Sequence, residues 1–331
     1  MSTNSWVKRL QQYRTPDNSR AAFEIFITVL PFTILWIASW LLLEAGYWLG
    51  LLLIIPNAGL LVRLFIIQHD CGHGSLFSSR QAMDWVGRVL GILTFTPYEY
   101  WRRMHATHHA GSGNLDRRGW GEIDTLTIEE YTTRGLWGRL VYRLYRNPFV
   151  MFGLGPAYMF VLRHRIPLGA MRQGKKPWIS ALATNLGILL VSAVIVQFTG
   201  LKWFLIIQIP TVILSASIGI WMFYVQHQFE EGYYRRNEDW SHSEAALMGS
   251  SFYDLPKPLM WITGNIGIHH VHHLSSRIPF HKLPQVLREY PELKQISRLT
   301  FMESLRCVKL ALWDEQAQKL VSFKSLKNQA E

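Results

Sequence analysis

Four stretches of this sequence have no comfortable place in water. Residues 25–43 carry no charge, residues 45–62 carry none, and 177–201 and 203–226 are longer uncharged runs. About 20 apolar residues in a helix cross the hydrocarbon layer of a bilayer, so all four predict membrane spans. Each pair is joined by almost nothing: Glu44 in the first, the Gly200-Leu201-Lys202 stretch in the second. Links this short make two helical hairpins, 25–67 and 177–226, with Arg63 snorkelling near the end of the second span. Residues 89–98 are too short to cross. Residues 147–162 are interrupted by Gly153, Gly155 and Pro156, and both segments are expected to be interfacial or partly inserted.

Charge sets the orientation. Lys and Arg number 4 before the first span, 15 between Gln68 and Lys176 and 13 after Gln226, while the hairpin tips carry none and one. The positive-inside rule places both termini and the central stretch in the cytosol. That accounts for most of the net charge of +11 and leaves no call for nucleic acid, which would want the basic residues gathered on a soluble domain. Residues 1–24 lack the apolar core of a signal peptide, so the first span stays in the membrane. Cys71 and Cys307 are too few for a disulfide framework and read as reduced thiols. The expected fold is an all-α integral membrane protein: four transmembrane helices as two hairpins, with a cytosolic helical cap. The stretch 291–326 alternates apolar and basic residues and is expected to add helices to that cap.

Nine of the 13 histidines fall in three short windows: His69 and His73; His105, His108 and His109; and His269, His270, His272 and His273. On a helix, residues three or four apart share a face. Each window therefore presents two or three imidazoles in one direction, and pairing of the hairpins brings the windows together beside the membrane. Eight converging imidazoles exceed the four ligands of one structural zinc, so two metals are the natural reading. Imidazole suits zinc, copper, iron and nickel, and ligand type alone does not choose among them. There is neither a Glu-x-x-His pair of the carboxylate-bridged kind nor a cysteine cage.

The spacings H-x3-H, H-x2-H-H and H-x2-H-H, in the order span-span-box-box-span-span-box, resemble the membrane fatty acid desaturase family over nearly the whole chain. The first box, His69-Asp70-Cys71-Gly72-His73, looks like the omega-6 (delta-12) acyl-lipid branch. So do Trp101 to Thr125, Gly264-Asn265-Ile266-Gly267-Ile268 and Ser276-Arg277-Ile278-Pro279, which resemble its bacterial members. The resemblance implies one desaturase domain over 1–331, divided as 1–24, the hairpin 25–67, the two-box region 68–176, the hairpin 177–226 and the third-box cap 227–331. It also implies a di-iron centre, with His227 after the fourth span as a ninth ligand beside His69, His73, His105, His108, His109, His269, His272 and His273. In the stearoyl-CoA branch an Asn one turn before that histidine holds a water; here the position is Phe223. His270 reads as a neighbour of the ligands or a solvent residue, with ligation the alternative; Asn265 reads as a candidate polar neighbour, His164 as part of a basic rim, and His242 and His281 as surface residues. Asp70 either orients an imidazole or pairs with an arginine such as Arg63. Asp116, Glu122 and Asp124 either orient imidazoles or pair with Arg117 and Arg118.

The implied reaction is oxygen-dependent insertion of a cis double bond into an acyl lipid or acyl thioester, at delta-12 of an oleoyl-type chain. The implied setting is a bacterial inner membrane. The chain carries no flavin fingerprint and no iron–sulfur cysteine set, so a separate carrier, ferredoxin-like or similar, is implied; the basic face could steer it in or hold anionic lipid headgroups, and charge does not choose between them. The alternatives are a hydroxylase, acetylenase or carotenoid-modifying oxygenase on the same centre, and a non-enzymatic membrane metal-binding protein, which predicts ionisable residues within the spans.

Overall fold

Asp17 closes the N-terminus of the first long helix: its carboxylate accepts the Arg20 N–H at 2.9 Å, satisfying one of the donors a helix start leaves open. That helix, α1 (Asn18–Glu44), runs for 27 residues. Gly46 turns the chain at φ 86°, and a 3-10 stretch, Trp48–Leu53, leads into α2 (Ile54–His73). These come from a computed structural model that describes residues 3–119, 121–167 and 174–328. The fold is mostly helical. Among the described residues three helices are long and apolar enough to cross a membrane: Asn18–Glu44, Trp48–His73 and Lys176–His227.

The third of these does not run straight. At 52 residues a straight helix would reach about 78 Å, far beyond the ~30 Å hydrocarbon layer. Gly200 breaks it with φ 75° and ψ 153°, a conformation that residues with a Cβ avoid. Val191 and Ile195 before the break, and Phe204 and Gln208 after it, line one apolar cavity with Phe32 and Trp36 of α1. Residues before and after Gly200 therefore face the same cavity beside α1.

The first hairpin differs from expectation at both of its charges. The first helix begins at Asn18 and takes in Glu24, which the sequence places in the preceding polar segment. Arg63 does not snorkel; it is 1% exposed. Its guanidinium pairs with the Glu24 carboxylate, donates to Thr28 Oγ1 at 3.1 Å and to the Trp261 carbonyl, and lies 4.2 Å from the centre of the Trp261 ring. Arg20 adds a second cation 2.6 Å from Glu24. A charge is expensive in an apolar layer unless paired and hydrogen-bonded, and here each has its partner on the facing helix.

Outside the long helices the chain is not all helical. In chain order the strands are β1 (Leu126–Thr127), β2 (Phe252–Asp254), β3 (Arg298–Thr300), β4 (Leu310–Asp314) and β5 (Lys319–Ser322). β4 pairs parallel with β1 and antiparallel with β5, and β2 pairs parallel with β3, Tyr253 opposite Leu299. The expected C-terminal helices are therefore replaced in large part by a β-hairpin. Leu312, Trp313 and Leu320 are buried there, with Trp313 and Leu320 packed against Leu115 and Tyr234; the strand pair is covered on both faces. The N-terminal segment is also no free tail: Trp6, Leu10 and Tyr13 pack with Ile268, Val271 and Leu283 around the third histidine window.

Three shorter helices complete the frame of the site. In α3 (Arg80–Leu93), Gly87 lies where a Cβ would stand 2.4 Å from the Tyr98 ring, so α4 (Tyr98–Gly111) packs tightly beside it. Ser180 Oγ accepts the Glu99 N–H at 3.1 Å, pinning the start of α4 to the start of the 52-residue helix. Next comes α5 (Leu136–Tyr145), whose Leu136, Trp137, Val141 and Leu144 all stand exposed, Trp137 at 79%. The 52-residue helix is α6, and α7 (His269–Leu274) carries the last window.

Candidate metal centre

The helices deliver every expected histidine to one place. α2 runs on without a break into His69 and His73, one turn apart. α4 presents His105, His108 and His109, His227 is the last residue of α6, and α7 presents His269, His272 and His273. The side chains sort into two groups, His69, His73, His105, His109 and His272 in one, and His108, His227, His269 and His273 in the other, each with its ligand atoms within 4.8 Å of one another.

The rings meet through Nε2. In the first group Nε2–Nε2 distances are 3.2 Å for His69–His73, 3.0 Å for His73–His105, 3.0 Å for His105–His109 and 3.2 Å for His109–His272. In the second they are 3.1 Å for His108–His227, 3.3 Å for His108–His273 and 3.0 Å for His227–His269. A metal–imidazole bond of about 2.1 Å separates neighbouring nitrogens of a tetrahedral or octahedral shell by about 3.0–3.4 Å. The observed edges fit such shells, so the donor set suits a metal in each group.

Electrostatics agrees with geometry. Burial holds His105, His109, His269, His272 and His273 well below the ordinary histidine range, and neighbouring imidazoles push the same way. Burial alone lowers His108 to about 3. The rings are thus neutral near pH 7, with lone pairs available to a cation. The outer ring nitrogens set the tautomers. His227 Nδ1 donates to the Gly249 carbonyl at 3.1 Å. His69 Nδ1 donates to Asp70 at 3.0 Å, while the other Asp70 oxygen accepts the Phe280 N–H at 2.7 Å. Of the two roles open to Asp70, orientation of a histidine is therefore the one observed; Arg63 turns to Glu24. Glu122 Oε1 stands 3.5 Å from His108 Nδ1, and burial pushes its carboxyl up to about 8 against the pull of Arg118.

The remaining polar residues stay outside. His270 donates Nε2 to the Leu293 carbonyl at 2.9 Å, and the Asn265 side-chain amide donates to the Phe280 carbonyl at 3.5 Å. Asp116 pairs with Arg236 at 3.0 Å rather than with Arg117 or Arg118. His242 is exposed, as expected. His164 is buried, not part of an open rim, and the ring nitrogens of His281 are buried rather than at the surface. Phe223 lies 5.0 Å and 5.2 Å by ring centres from His108 and His227, so an apolar ring covers that side of the second group. Sequence reasoning did not assign Trp101 a role in the centre. Its ring stacks on His105 at 4.6 Å and 15°, and the only signal was an aromatic one turn before a box.

Known proteins bear on this arrangement. A sequence model of the Fatty acid desaturase family matches residues 45–303. The chain is 42% identical over 321 residues to a fatty acid desaturase of Bacillus subtilis (strain 168), covering 97% of this chain and 91% of that protein. It is 28% identical over 222 residues to an sn-1 oleoyl-lipid 12-desaturase of Synechocystis, covering 66% of this chain and 62% of that one. It is also 28% identical over 237 residues to an sn-1 acyl-lipid omega-3 desaturase (ferredoxin) of Synechocystis, covering 66% and 61%. With the family model spanning most of the chain and the Bacillus relative aligned almost end to end, this protein belongs to the fatty acid desaturase family and is an oxidoreductase.

Proposed function

We propose that the five-histidine and four-histidine groups each hold one iron, and that the protein inserts a cis double bond into the acyl chain of a lipid, at delta-12 of an oleoyl-type chain. The convergence of nine neutral imidazoles through Nε2 into two shells carries this reading. Bound iron supplies the oxidising chemistry with O2: two hydrogens leave adjacent methylenes, and with two electrons and two protons the oxygen becomes two waters. The chain's part is to hold the shells and to shield them. Phe223 and Trp101 cover imidazoles with apolar surface, and Asp70 and the Gly249 carbonyl keep His69 and His227 in the tautomer that leaves Nε2 free. The oleoyl-lipid 12-desaturase relative supports the bond position. The ferredoxin-dependent relative supports an external iron–sulfur carrier as electron donor.

The test is fatty acid analysis in a bacterium that makes monounsaturated but no diunsaturated lipid, with a ferredoxin system co-expressed. A new diene with its second bond at delta-12 is the expected result. A diene at another position overturns the regiochemistry. A hydroxylated or unchanged lipid, in cells that contain iron-loaded protein, overturns desaturation of this substrate.

The reading includes four crossings, with the second hairpin turning at Gly200, and with both termini and the metal groups on the cytosolic side of a bacterial inner membrane. Lys and Arg are concentrated in the segments that this orientation keeps inside. It also places α5 in the plane of the interface, its exposed Leu136, Trp137, Val141 and Leu144 in the acyl region, with Arg134 before it and Arg139 and Arg143 within it among headgroups. A fluorophore on cysteine at position 137 checks this, because Cys71 and Cys307 are buried and leave labelling specific. Brominated lipids are expected to quench it and aqueous iodide to leave it bright. The reverse pattern would return α5 to water.

A further inference from the structure

We infer that Glu122 is a positioning residue of the four-histidine group, accepting the His108 Nδ1–H and so aiming Nε2 of that ring into the metal shell. The inference rests on the metal reading above. His108 is the ring on which the four-histidine group turns, with its Nε2 beside those of both His227 and His273. Its outer nitrogen, Nδ1, is buried and makes no hydrogen bond, and the same is true of Glu122 Oε1. The two orphans face each other at 3.5 Å. A buried donor and a buried acceptor without partners are rare in native proteins, and one bond between them satisfies both.

Among the described residues Glu122 does not take up the competing role, pairing with Arg117 or Arg118. Arg118 is committed elsewhere: it binds Glu130 at 2.8 Å and donates to the Leu115 and Thr125 carbonyls. The backbone brings Glu122 to His108 by a specific device. Gly121 has φ 73°, and a Cβ there would stand 2.9 Å from the Met104 carbonyl and 3.5 Å from His108 Cβ. Only glycine lets the loop lie this close against α4, which turns the next side chain onto the outer edge of His108. Among the described residues each histidine group then has one carboxylate behind one of its rings: Asp70 behind His69 and Glu122 behind His108. A carboxyl oxygen that accepts from the far nitrogen fixes the tautomer and aims the ligating one. Losing such a partner typically costs 10–100-fold in metal affinity.

Release of iron from the purified holoenzyme to a chelator separates this role from a structural one. In Glu122→Leu, one iron per chain is expected to be missing or to leave about 10–100-fold faster than in wild type, while the other leaves at the wild-type rate. Glu122→Gln, which can still accept the hydrogen bond, is expected to fall between the two. Thermal melting of the metal-free proteins should be alike in all three. Two irons leaving at wild-type rates from Glu122→Leu would overturn the inference. So would equal acceleration of both irons together with a lower melting temperature of the metal-free protein. If Glu122→Leu does not fold, Glu122→Gln decides: both irons at the wild-type rate overturn the inference, and one faster iron supports it. Wild-type protein that binds no pair of irons would instead sink the metal reading itself.

Discussion

Alanine in place of His105 is expected to abolish desaturation and to bring iron well below two per chain, while the protein still inserts in the membrane. His105 Nε2 lies 3.0 Å from Nε2 of both His73 and His109, so the five-histidine shell loses the ring that bridges two of its edges. The other rings cannot close the gap, because each is held on a helix packed for its own reasons. His272→Ala should behave the same way, its Nε2 being 3.2 Å from that of His109. Neither substitution touches an apolar run, so insertion has no cause to change. His242→Ala, at an exposed ring, is the control and should be silent in both assays. Metal analysis beside fatty acid profiles reads the result. Two irons and full activity in His105→Ala would remove that residue from the ligand set.

The second large effect lies away from the metals. Glu24→Leu is expected to destabilise the protein by about 3–5 kcal/mol, the usual cost of leaving one member of a buried ion pair alone. Arg63 would be left 1% exposed with only the Thr28 hydroxyl, the Trp261 carbonyl and two aromatic faces for company. Arg63→Met should cost less, because Arg20, 2.6 Å away, still neutralises Glu24. The double variant Glu24→Leu/Arg63→Met removes both charges and should recover most of the loss. Inactivation half-life of the detergent-solubilised protein orders the three variants. If the double variant is as unstable as Glu24→Leu, the penalty comes from lost packing and the ion-pair account is wrong.

These two predictions differ in how far the sequence foretold them. The histidine windows were legible because spacings of three and four place side chains on one helix face wherever the helix goes. His227 stands alone in the sequence, and only the family resemblance suggested it; the structure brings it to the group by ending α6 there. The Glu24–Arg63 pair was misread because its members lie on different helices. Along the chain, Glu24 reads as a boundary and Arg63 as a snorkelling end, and no local pattern joins them. The C-terminal hairpin was missed for a related reason. Its apolar residues form a strand pair, and β1, far earlier in the chain, extends it by pairing with β4.

What the sequence determined by itself was whatever depends on local composition and period: which runs are too apolar for water, where a glycine can break one of them, and which imidazoles share a face. What only the tertiary structure decided was which of those faces meet. It divided nine histidines into groups of five and four, gave Arg63 its carboxylate and set Glu122 behind His108. Each of these is a contact between residues distant in sequence. Its free energy depends on burial and on partners that only the packed chain supplies.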